Sequence, residues 1–452
     1  MKKLEKSLYR LAIPIFFELL FIMLLGMIDT IMLASYSDNA VGAVSNANTI
    51  INFLTVLINI CSIGIGVVIS NYLGAKNEEF AKKSIKTGIV FNGILGLILF
   101  LIFQLFGSSL FKLVGTSNTF LLDSTNYLKI VTMSLPLIAI SQILSQTLRS
   151  YGKPKPMMVV SIISNILNIV INFILINDIF NSNIPSITGV NGAAIGTLAS
   201  HIFRFIMSII LVKKIVGIKL FPLETDKTCI KQIIKIGLPS ALENTAYNIT
   251  QFIILWVINQ MIDENIVIAR AYVLTIVSFV YQFSCAFANA NQIIVGYSIG
   301  EENYDYAYKH TYKSFFHSLI YVFIMITLIN ILRYPILRLL TSNEDIIKMA
   351  LSVLPLFYIW EFGRASNLVF IQALKASGDT IFPLIIAIIS MFGFAALGSY
   401  IFGISLNMGL TGVILGSALD ELVRGIIVIF RWKSKVWTNK SILKNNELIN
   451  EW

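Results

Sequence analysis

The chain has 452 residues, of which 56% are hydrophobic and only 13% are charged, and its mean hydropathy is +0.79. Ordinary globular domains are about one-quarter charged, so this composition excludes a soluble fold, a disordered chain and a coiled coil. The net charge is +10, and Cys61, Cys229 and Cys285 lie far apart, which excludes a disulfide scaffold and a cysteine metal site. We therefore expect an integral membrane protein.

Twelve apolar runs of about 20 residues follow one another, each long enough to cross roughly 30 Å of hydrocarbon as a helix. Membrane β-strands are about half this length and alternate in polarity, so the pattern predicts an all-α fold. The predicted spans are residues 11–34, 47–73, 87–106, 128–148, 157–177, 189–212, 236–258, 268–294, 314–332, 351–374, 382–402 and 409–432.

The basic residues are distributed unevenly between the two sides of these spans. Of the 34 Lys and Arg residues, 25 lie at one set of alternating ends and five at the opposite set. An excess of Lys and Arg marks the cytoplasmic side, so we expect a cell-membrane protein with both termini and the 213–235 loop in the cytoplasm. The exception is the loop near 333–350. The same distribution argues against nucleic-acid binding.

The two halves of the chain repeat each other. Pro14 and Glu18 match Pro239 and Glu243 at an offset of 225 residues. Three further matches follow in chain order: residues 74–77 with 300–303, residues 146–152 with 372–378, and Gly189, Gly192, Gly196 and Arg204 with Gly409, Gly412, Gly416 and Arg424. Because six spans per half is an even number, we predict two parallel six-helix repeats around a central cavity, residues 1–222 and 223–452.

Ionisable residues inside the spans are functional candidates, because each costs about 2.5–3.5 kcal/mol to insert. Glu18 and Asp29 are 11 residues apart, about 20° beyond three full helical turns, so both lie on one face of the first helix. Pro14 permits a bend in that helix. An acidic face of this kind is typical of a proton- or cation-coupled transporter. The structural alternative is that each acid forms an ion pair with an arginine or a hydrogen bond that only supports packing.

Amides and further charges mark three other spans. Asn165, Asn168 and Asn172 share one face of the fifth span, where they either complete a cation site or hold helices together. Glu361 with Arg364 and Glu421 with Arg424 are spaced to neutralise each other. The candidates for the substrate cavity are Glu18, Glu243, Glu361 and Arg364.

The sequence contains no nucleotide-binding loop, no dinucleotide fingerprint, no zinc-protease motif and no nucleophile elbow. We therefore expect neither an enzyme nor an ATP-driven pump, no resident metal or cofactor, and energy from an ion gradient.

The ordered motifs resemble the multidrug and toxic compound extrusion (MATE) family over nearly the whole chain. The motifs are Gly26-Met27-Ile28-Asp29-Thr30-Ile31-Met32, Tyr72-Leu73-Gly74-Ala75, Leu148-Arg149-Ser150-Tyr151-Gly152, Ile236-Gly237-Leu238-Pro239 and Leu374-Lys375-Ala376-Ser377-Gly378-Asp379. The resemblance implies an antiporter with two six-helix lobes that exports drug-like, often cationic compounds in exchange for H⁺ or Na⁺. It is expected to act as a monomer in the bilayer.

The resemblance also implies an ion site in the N-terminal lobe. Carried over position by position, the site comprises Asp29, Asn168, Asn172 and Thr197. This chain has Asn172 where many members have an aspartate. One carboxylate suffices for a proton but is weak for Na⁺, so we predict proton coupling, with Na⁺ as the alternative.

The second lobe departs from the family. Tyr247 and Arg364 occupy positions where some members carry acids, which predicts that this second acid site is absent. Two other functions remain open at this point. One is a lipid-linked sugar flippase of the same superfamily, although those often have fourteen spans and a strongly cationic cavity. The other is a membrane-embedded enzyme that handles lipids, which would need a catalytic cluster at the membrane face.

Overall fold

A computed structural model describes residues 8–113, 116–179, 184, 187–261, 263 and 265–443, and over these residues the chain is helical, as predicted. Helices dominate because lipid offers no hydrogen bonds, so each backbone N–H and C=O needs a partner within its own segment. The helices are α1 (Leu8–Tyr36), α2 (Asp38–Gly74), α3 (Glu78–Leu113), α4 (Asn118–Thr132), α5 (Leu135–Ser150), α6 (Lys155–Ile176), α7 (Gly189–Val216), α8 (Lys227–Asn259), α9 (Asn265–Gly300), α10 (Tyr304–Ile331), α11 (Arg333–Leu340), α12 (Glu344–Val353), α13 (Phe357–Ala376), α14 (Ile381–Ser390), α15 (Leu397–Tyr400) and α16 (Gly409–Lys433).

Within the described residues, nine helical spans are long and apolar enough to cross a membrane, and the bent pair α4–α5 makes a tenth. The other two predicted spans, 236–258 and 409–432, are present as α8 and α16 but fall outside this apolar set. In α16 the reason is the three charged residues Asp420, Glu421 and Arg424 within five positions, all of which are buried.

The fourth span is bent by 47° between α4 and α5. The break follows Thr132, and Pro136 lies at the start of α5. Proline has no N–H to donate to a preceding turn, so it fits well in the first turn of a new helix. By contrast, α1 and α8 continue as helices through Pro14 and Pro239.

The described chain forms two compact units. The N-unit comprises residues 17–69 and 77–237, and the C-unit comprises residues 8–16, 70–76 and 238–443. The start of α1 and the end of α2 therefore belong to the C-unit. The domain boundary predicted at residue 222 from the sequence repeat stays a prediction.

In the N-unit, α6 packs on α7, α5 packs on α3 and α7, and α4 packs on α3 and α7. Leu33, Val44, Phe111, Leu128 and Ala194 bring α1, α2, α3, α4 and α7 together in one apolar cluster. This apolar cluster fixes the positions of these five helices relative to one another. It therefore also helps to position the polar residues described below.

In the C-unit, α13 is the central helix and packs on α9, α10 and α16. α16 also packs along the span that contains α14 and α15. Two π-helical segments, Met391–Ala396 and Ile401–Ser405, interrupt that span. A Cβ atom on Gly416 would lie 2.6 Å from Ser399 N, so only glycine permits this close approach.

Candidate functional site

The four residues predicted for ion coupling come together in the N-unit, at the junction of α1, α6 and α7. Asp29 lies on α1, Asn168 and Asn172 lie on α6, and Thr197 lies on α7. The Nδ2 of Asn172 donates to Asp29 Oδ1 at 3.0 Å and to Asn168 Oδ1 at 3.0 Å. The predicted set is therefore one connected cluster, and its role in coupling stays a prediction.

The amide of Asn168 fits the cluster in two orientations. In one, its nitrogen donates to Thr197 Oγ1 at 3.4 Å. In the other, its nitrogen donates to Asp29 Oδ1 at 2.9 Å and its oxygen accepts from Thr197 N at 3.2 Å. Either orientation keeps an amide N–H on Asp29, from Asn172 alone or from both asparagines.

The register of α1 and α6 explains why these residues meet. Ser161 and Glu18 are separated by 143 residues, and Asn172 and Asp29 are separated by the same 143 residues. Eleven residues make about three turns, so two parallel helices in contact at one pair meet again three turns later. Asn165, on the same face, donates to Phe21 O at 2.9 Å and thus holds the two helices together.

Two further residues shape the cluster and were absent from the predicted set. A Cβ atom on Gly196 would overlap Asn172 Oδ1, so glycine is required there for α7 to approach α6. Tyr127, on α4, is 6% exposed and lies within hydrogen-bonding reach of Thr197. The fourth span was predicted to start at residue 128, which left Tyr127 outside it. Tyr127 lies four residues, or one helical turn, after Asp123. This spacing of two polar residues was the signal in the sequence that could have placed Tyr127 on the same helix.

A cavity of about 590 Å³ lies in the N-unit at the ends of three helices that carry this cluster. Tyr36 of α1, Asp123 of α4 and Asn191 of α7 line it, together with Ser37, Asn39, Ala40, Thr188 and Val190. By the predicted orientation these ends face outward. From the cavity, α1 leads to Asp29, α4 leads to Tyr127 and α7 leads to Thr197.

Glu18 is placed in a separate cluster, three turns from Asp29 along α1. Its side chain is 0% exposed and lies 2.7 Å from Arg149 Nη2 and 3.1 Å from Arg204 Nη2. Ser161 also donates to it at 3.3 Å. From the sequence, pairing with arginine was the structural alternative for Glu18. The structure contains this pairing. A direct substrate contact by Glu18 stays a prediction.

The C-unit holds a larger charged network on α13 and α16. Arg364 lies 2.6 Å from Glu361 and 3.5 Å from Glu421. Arg424 lies 3.0 Å from both Asp420 and Glu421. Three carboxylates thus face two guanidinium groups, so the network has a formal charge of −1.

This network is held by neighbouring polar and aromatic groups. Asn367 donates to Glu421 Oε2 at 2.8 Å, and the Arg364 guanidinium lies 5.3 Å from the ring of Tyr281 and 5.1 Å from the ring of Trp360. The sequence predicted one ion pair within α13 and one within α16, and both are present. In addition, Arg364 of α13 pairs with Glu421 of α16 and so joins the two helices.

The remaining cavity candidate, Glu243 on α8, lies 2.8 Å from Lys375 in the C-unit. Among the described residues, no three His, Cys, Asp or Glu side chains are grouped in a way that could hold a metal ion. Among the described residues, the Asp29 cluster and the charged network on α13 and α16 both present carboxylate oxygens within the spans.

Comparison with known proteins agrees with the fold and with the repeat. The MatE family model matches residues 14–174 and again residues 239–401. The uncharacterized transporter YisQ of Bacillus subtilis is 33% identical over 439 residues, which covers 96% of this chain and 96% of YisQ. The probable multidrug resistance protein NorM of Thermotoga maritima is 25% identical over 452 residues, covering 98% and 95% of the two chains.

Among solved structures, an outward-facing multidrug resistance MATE family transporter of the MOP superfamily superimposes with a TM-score of 0.85. It is 20% identical, and the match covers 96% of both chains, which establishes the shared fold. Together with the family matches in both halves and the similarity to YisQ, this shows that the chain belongs to the MatE family of membrane transporters, the multidrug and toxic compound extrusion family that its motifs resemble.

Proposed function

We propose that this protein is a secondary antiporter of the cell membrane that exports drug-like, mainly cationic organic compounds in exchange for H⁺. Asp29 is the group that takes up and releases the proton. Both termini lie in the cytoplasm, and transport requires no ATP. NorM of Thermotoga maritima and YoeA of Bacillus subtilis are each named a probable multidrug resistance protein, which supports a drug-like substrate.

The observation that carries this proposal is the environment of Asp29. Its Oδ1 accepts a hydrogen bond from the Asn172 amide, and the part of the chain that the structure describes places no Lys or Arg in an ion pair with it. A carboxylate accepts hydrogen bonds only, whereas a protonated carboxyl group also donates one. A rotated asparagine amide, with its oxygen toward Asp29, could receive that bond. The cluster can therefore satisfy both protonation states of Asp29.

The same geometry favours a proton over Na⁺. The amide nitrogen of Asn172 donates to Asp29 Oδ1 and, in one of the two orientations of Asn168, also to Asn168 Oδ1. A hard cation prefers oxygen ligands at that point. Asn172 Oδ1 instead points at Gly196, where it is buried and makes no hydrogen bond to the described residues. The cluster would offer Na⁺ only one negative charge, that of Asp29, whereas a proton needs only that one carboxyl group.

The charge of the C-unit network supports a cationic substrate. With all five groups ionised, Glu361, Asp420 and Glu421 carry one more formal charge than Arg364 and Arg424 balance. Arg270, a partly buried arginine of the C-unit, donates to Gln251 and is not counted in this network. An excess negative charge in a region of low dielectric attracts cations and repels anions.

The test is dye release from liposomes that contain the purified protein. The liposomes are preloaded with a fluorescent organic cation, and the membrane potential is clamped with potassium and valinomycin. One arm imposes an acidic exterior at equal Na⁺, and the other imposes external Na⁺ at equal pH. Protein-free liposomes and the Asp29→Asn variant are the controls.

Release that follows the pH gradient and is absent from both controls would support proton antiport. Release that follows only the Na⁺ gradient would replace the proton by Na⁺ and leave the antiporter intact. No gradient-dependent release in either arm, with correctly folded protein, would contradict antiport of organic cations.

A further inference from the structure

The Glu18 cluster in the N-unit contains more positive than negative charge. The Oε2 of Glu18 accepts from Arg149 Nη2 at 2.7 Å, and its Oε1 accepts from Arg204 Nη2 at 3.1 Å. One carboxylate therefore serves two guanidinium groups, and the formal charge of the cluster is +1. A partly buried charge needs an opposite charge or strong hydrogen bonds to compensate for the lost hydration.

Among the described residues, each of the two arginines is hydrogen-bonded to Glu18 through Nη2. Guanidinium has five N–H donors arranged as a planar fork. In each arginine the Nε–H is buried and finds no hydrogen-bond partner among the described residues. The side chains of Arg149 and Arg204 are 15% and 21% exposed, so neither is fully enclosed by the described residues.

The internal repeat provides a direct comparison for Arg204. Its counterpart, 220 positions later, is Arg424, which pairs with Asp420 and Glu421 at 3.0 Å each. These two acids stand four and three residues before Arg424. The same positions before Arg204 are Ser200 and His201. The two carboxylates that neutralise Arg424 in the C-unit are therefore replaced by a hydroxyl and an imidazole in the N-unit.

Neither replacement supplies a negative charge. The Ser200 hydroxyl donates to the backbone oxygen of Thr197 at 2.7 Å, so it is directed along its own helix. His201 carries no negative charge in any state that it adopts near neutral pH. Among the charged groups that the structure describes around Arg204, the acid is Glu18 and the base is Arg149, as their mutual electrostatic interactions show.

We propose that Arg149 and Arg204, bridged by Glu18, form an anion-binding site for a phosphate or carboxylate group. A planar guanidinium fork matches the oxygens of these anions, and the Glu18 carboxylate holds the two guanidinium groups next to each other. Arg149 lies in the last turn of α5, directly before the basic turn that contains Lys153 and Lys155. The phosphate comes either from a free anion or from the headgroup of an anionic phospholipid.

The test measures thermal unfolding of the purified full-length protein by tryptophan fluorescence, and it does not depend on the proposed antiport. In one arm, sodium phosphate is titrated against sodium chloride at constant pH and ionic strength. In the other, phosphatidylglycerol is added to the detergent micelles and compared with phosphatidylcholine. A saturable rise in Tm reports binding.

Two variants remove the site in different ways. Arg204→Gln deletes one fork, and His201→Glu keeps both arginines but adds the carboxylate that Glu421 supplies in the C-unit. We expect each to weaken the apparent anion affinity on the order of tenfold or more, because charge-assisted hydrogen bonds are lost or occupied. Arg431→Gln is the matched control: its side chain is 20% exposed, and Asp379 already neutralises it at 2.8 Å.

A rise in Tm with phosphate, lost in Arg204→Gln and His201→Glu but kept in Arg431→Gln, supports a site for free anions. The same pattern with phosphatidylglycerol alone supports a lipid headgroup. Equal shifts in the wild type and in His201→Glu would overturn the site, and so would a wild type that responds to neither additive. Because His201→Glu keeps both arginines, the proposal stays testable even if Arg204→Gln does not fold.

Discussion

Lys375 lies 2.8 Å from the carboxylate of Glu243, and this pair repeats the 2.7 Å contact between Arg149 and Glu18 at the matching positions of the first half. The sequence repeat is therefore also a repeat of side-chain contacts. In each half of the sequence, the acid that follows the proline of the first span pairs with a base at the end of the fourth span. The two pairs differ in their surroundings, because Glu18 takes a second arginine.

That difference predicts unequal costs for neutralising the two acids. Glu18→Gln should lower the free energy of unfolding by about 3–5 kcal/mol, because two partly buried guanidinium groups lose their shared carboxylate. Glu243→Gln should cost less, since its side chain is 13% exposed and it serves one lysine. Thermal unfolding of the purified variants measures both changes. Equal losses of Tm would contradict the assignment of Glu18 as the more tightly held acid.

Asp29→Asn should abolish gradient-driven export while the protein still inserts and purifies normally. The variant removes the one titratable carboxyl group of the Asp29 cluster but keeps a side chain of the same shape. The measurement is dye release from liposomes under an imposed pH gradient. Asp38→Asn, at an exposed position in the first turn of α2, is the matched control and should transport as the wild type does. Normal export by Asp29→Asn would exclude Asp29 as the coupling group.

Gly196→Ala should disturb the coupling cluster, because the added methyl group overlaps Asn172 Oδ1. We expect a loss of about 1–3 kcal/mol of stability together with weaker coupled export, as is usual for overpacking. Gly26→Ala is the matched control on α1, since a Cβ atom there meets nothing within 4 Å. It should keep or raise Tm, because alanine favours helix. If Gly196→Ala behaved like Gly26→Ala, the close contact between α6 and α7 would be unimportant.

A cysteine at Phe221 should be protected from an impermeant thiol reagent in intact cells and labelled after the membrane is permeabilised. The position is 73% exposed and lies in the 213–235 loop, which the distribution of Lys and Arg assigns to the cytoplasm. Cys61, Cys229 and Cys285 are first replaced by alanine, so that only the new thiol reports. Labelling in intact cells would reverse the predicted orientation.

Asp226→Asn should lower stability slightly at neutral pH and have no effect in acid. Lys83 Nζ lies 2.7 Å from Asp226 Oδ2, and its hydrogen bond holds the pKa of that carboxyl below its usual range. A lowered pKa in the folded state adds stability above the usual aspartate pKa of about 3.9, and this stability is lost as the pH falls through the lowered value. Asparagine still accepts the capping bond from Cys229 N, so the change isolates the charge.

The expected loss at pH 7 is below about 1 kcal/mol, as is typical of accessible ion pairs. Asp305→Asn, whose side chain is 80% exposed and lies 3.0 Å from Lys435, is the control and should leave Tm nearly unchanged at pH 7. A loss of Tm in Asp226→Asn that persisted below pH 3 would assign the effect to something other than the ion pair.

Helix periodicity was enough to predict the shared face of Glu18 and Asp29, because 11 residues return a helix to nearly the same direction. The membership of Asn168, Asn172 and Thr197 came from the family resemblance, and the structure brings all three to Asp29. Their spacing alone could not distinguish an ion site from amides that hold helices together.

The partners of Glu18 could not be predicted in the same way. Arg204 stood out as a charge inside a span, but which acid it meets depends on how α7 packs against α1. Arg149 was assigned to a loop, although its side chain reaches back to a fully buried carboxylate. Long arginine side chains extend well beyond their backbone position, so span boundaries do not tell which of them enter the membrane.

The C-unit is built from segments that lie far apart in the sequence, so they are synthesised at different times. Residues 8–16 and 70–76 belong to it, although its main part begins at residue 238. Leu11 packs in the cluster of Phe287, and Asn71 donates to the backbone oxygen of Ala376 at 3.0 Å. Since synthesis proceeds from the N-terminus, these segments enter the bilayer hundreds of residues before their partners exist. These helical turns are thus made well before the segments that become their final neighbours.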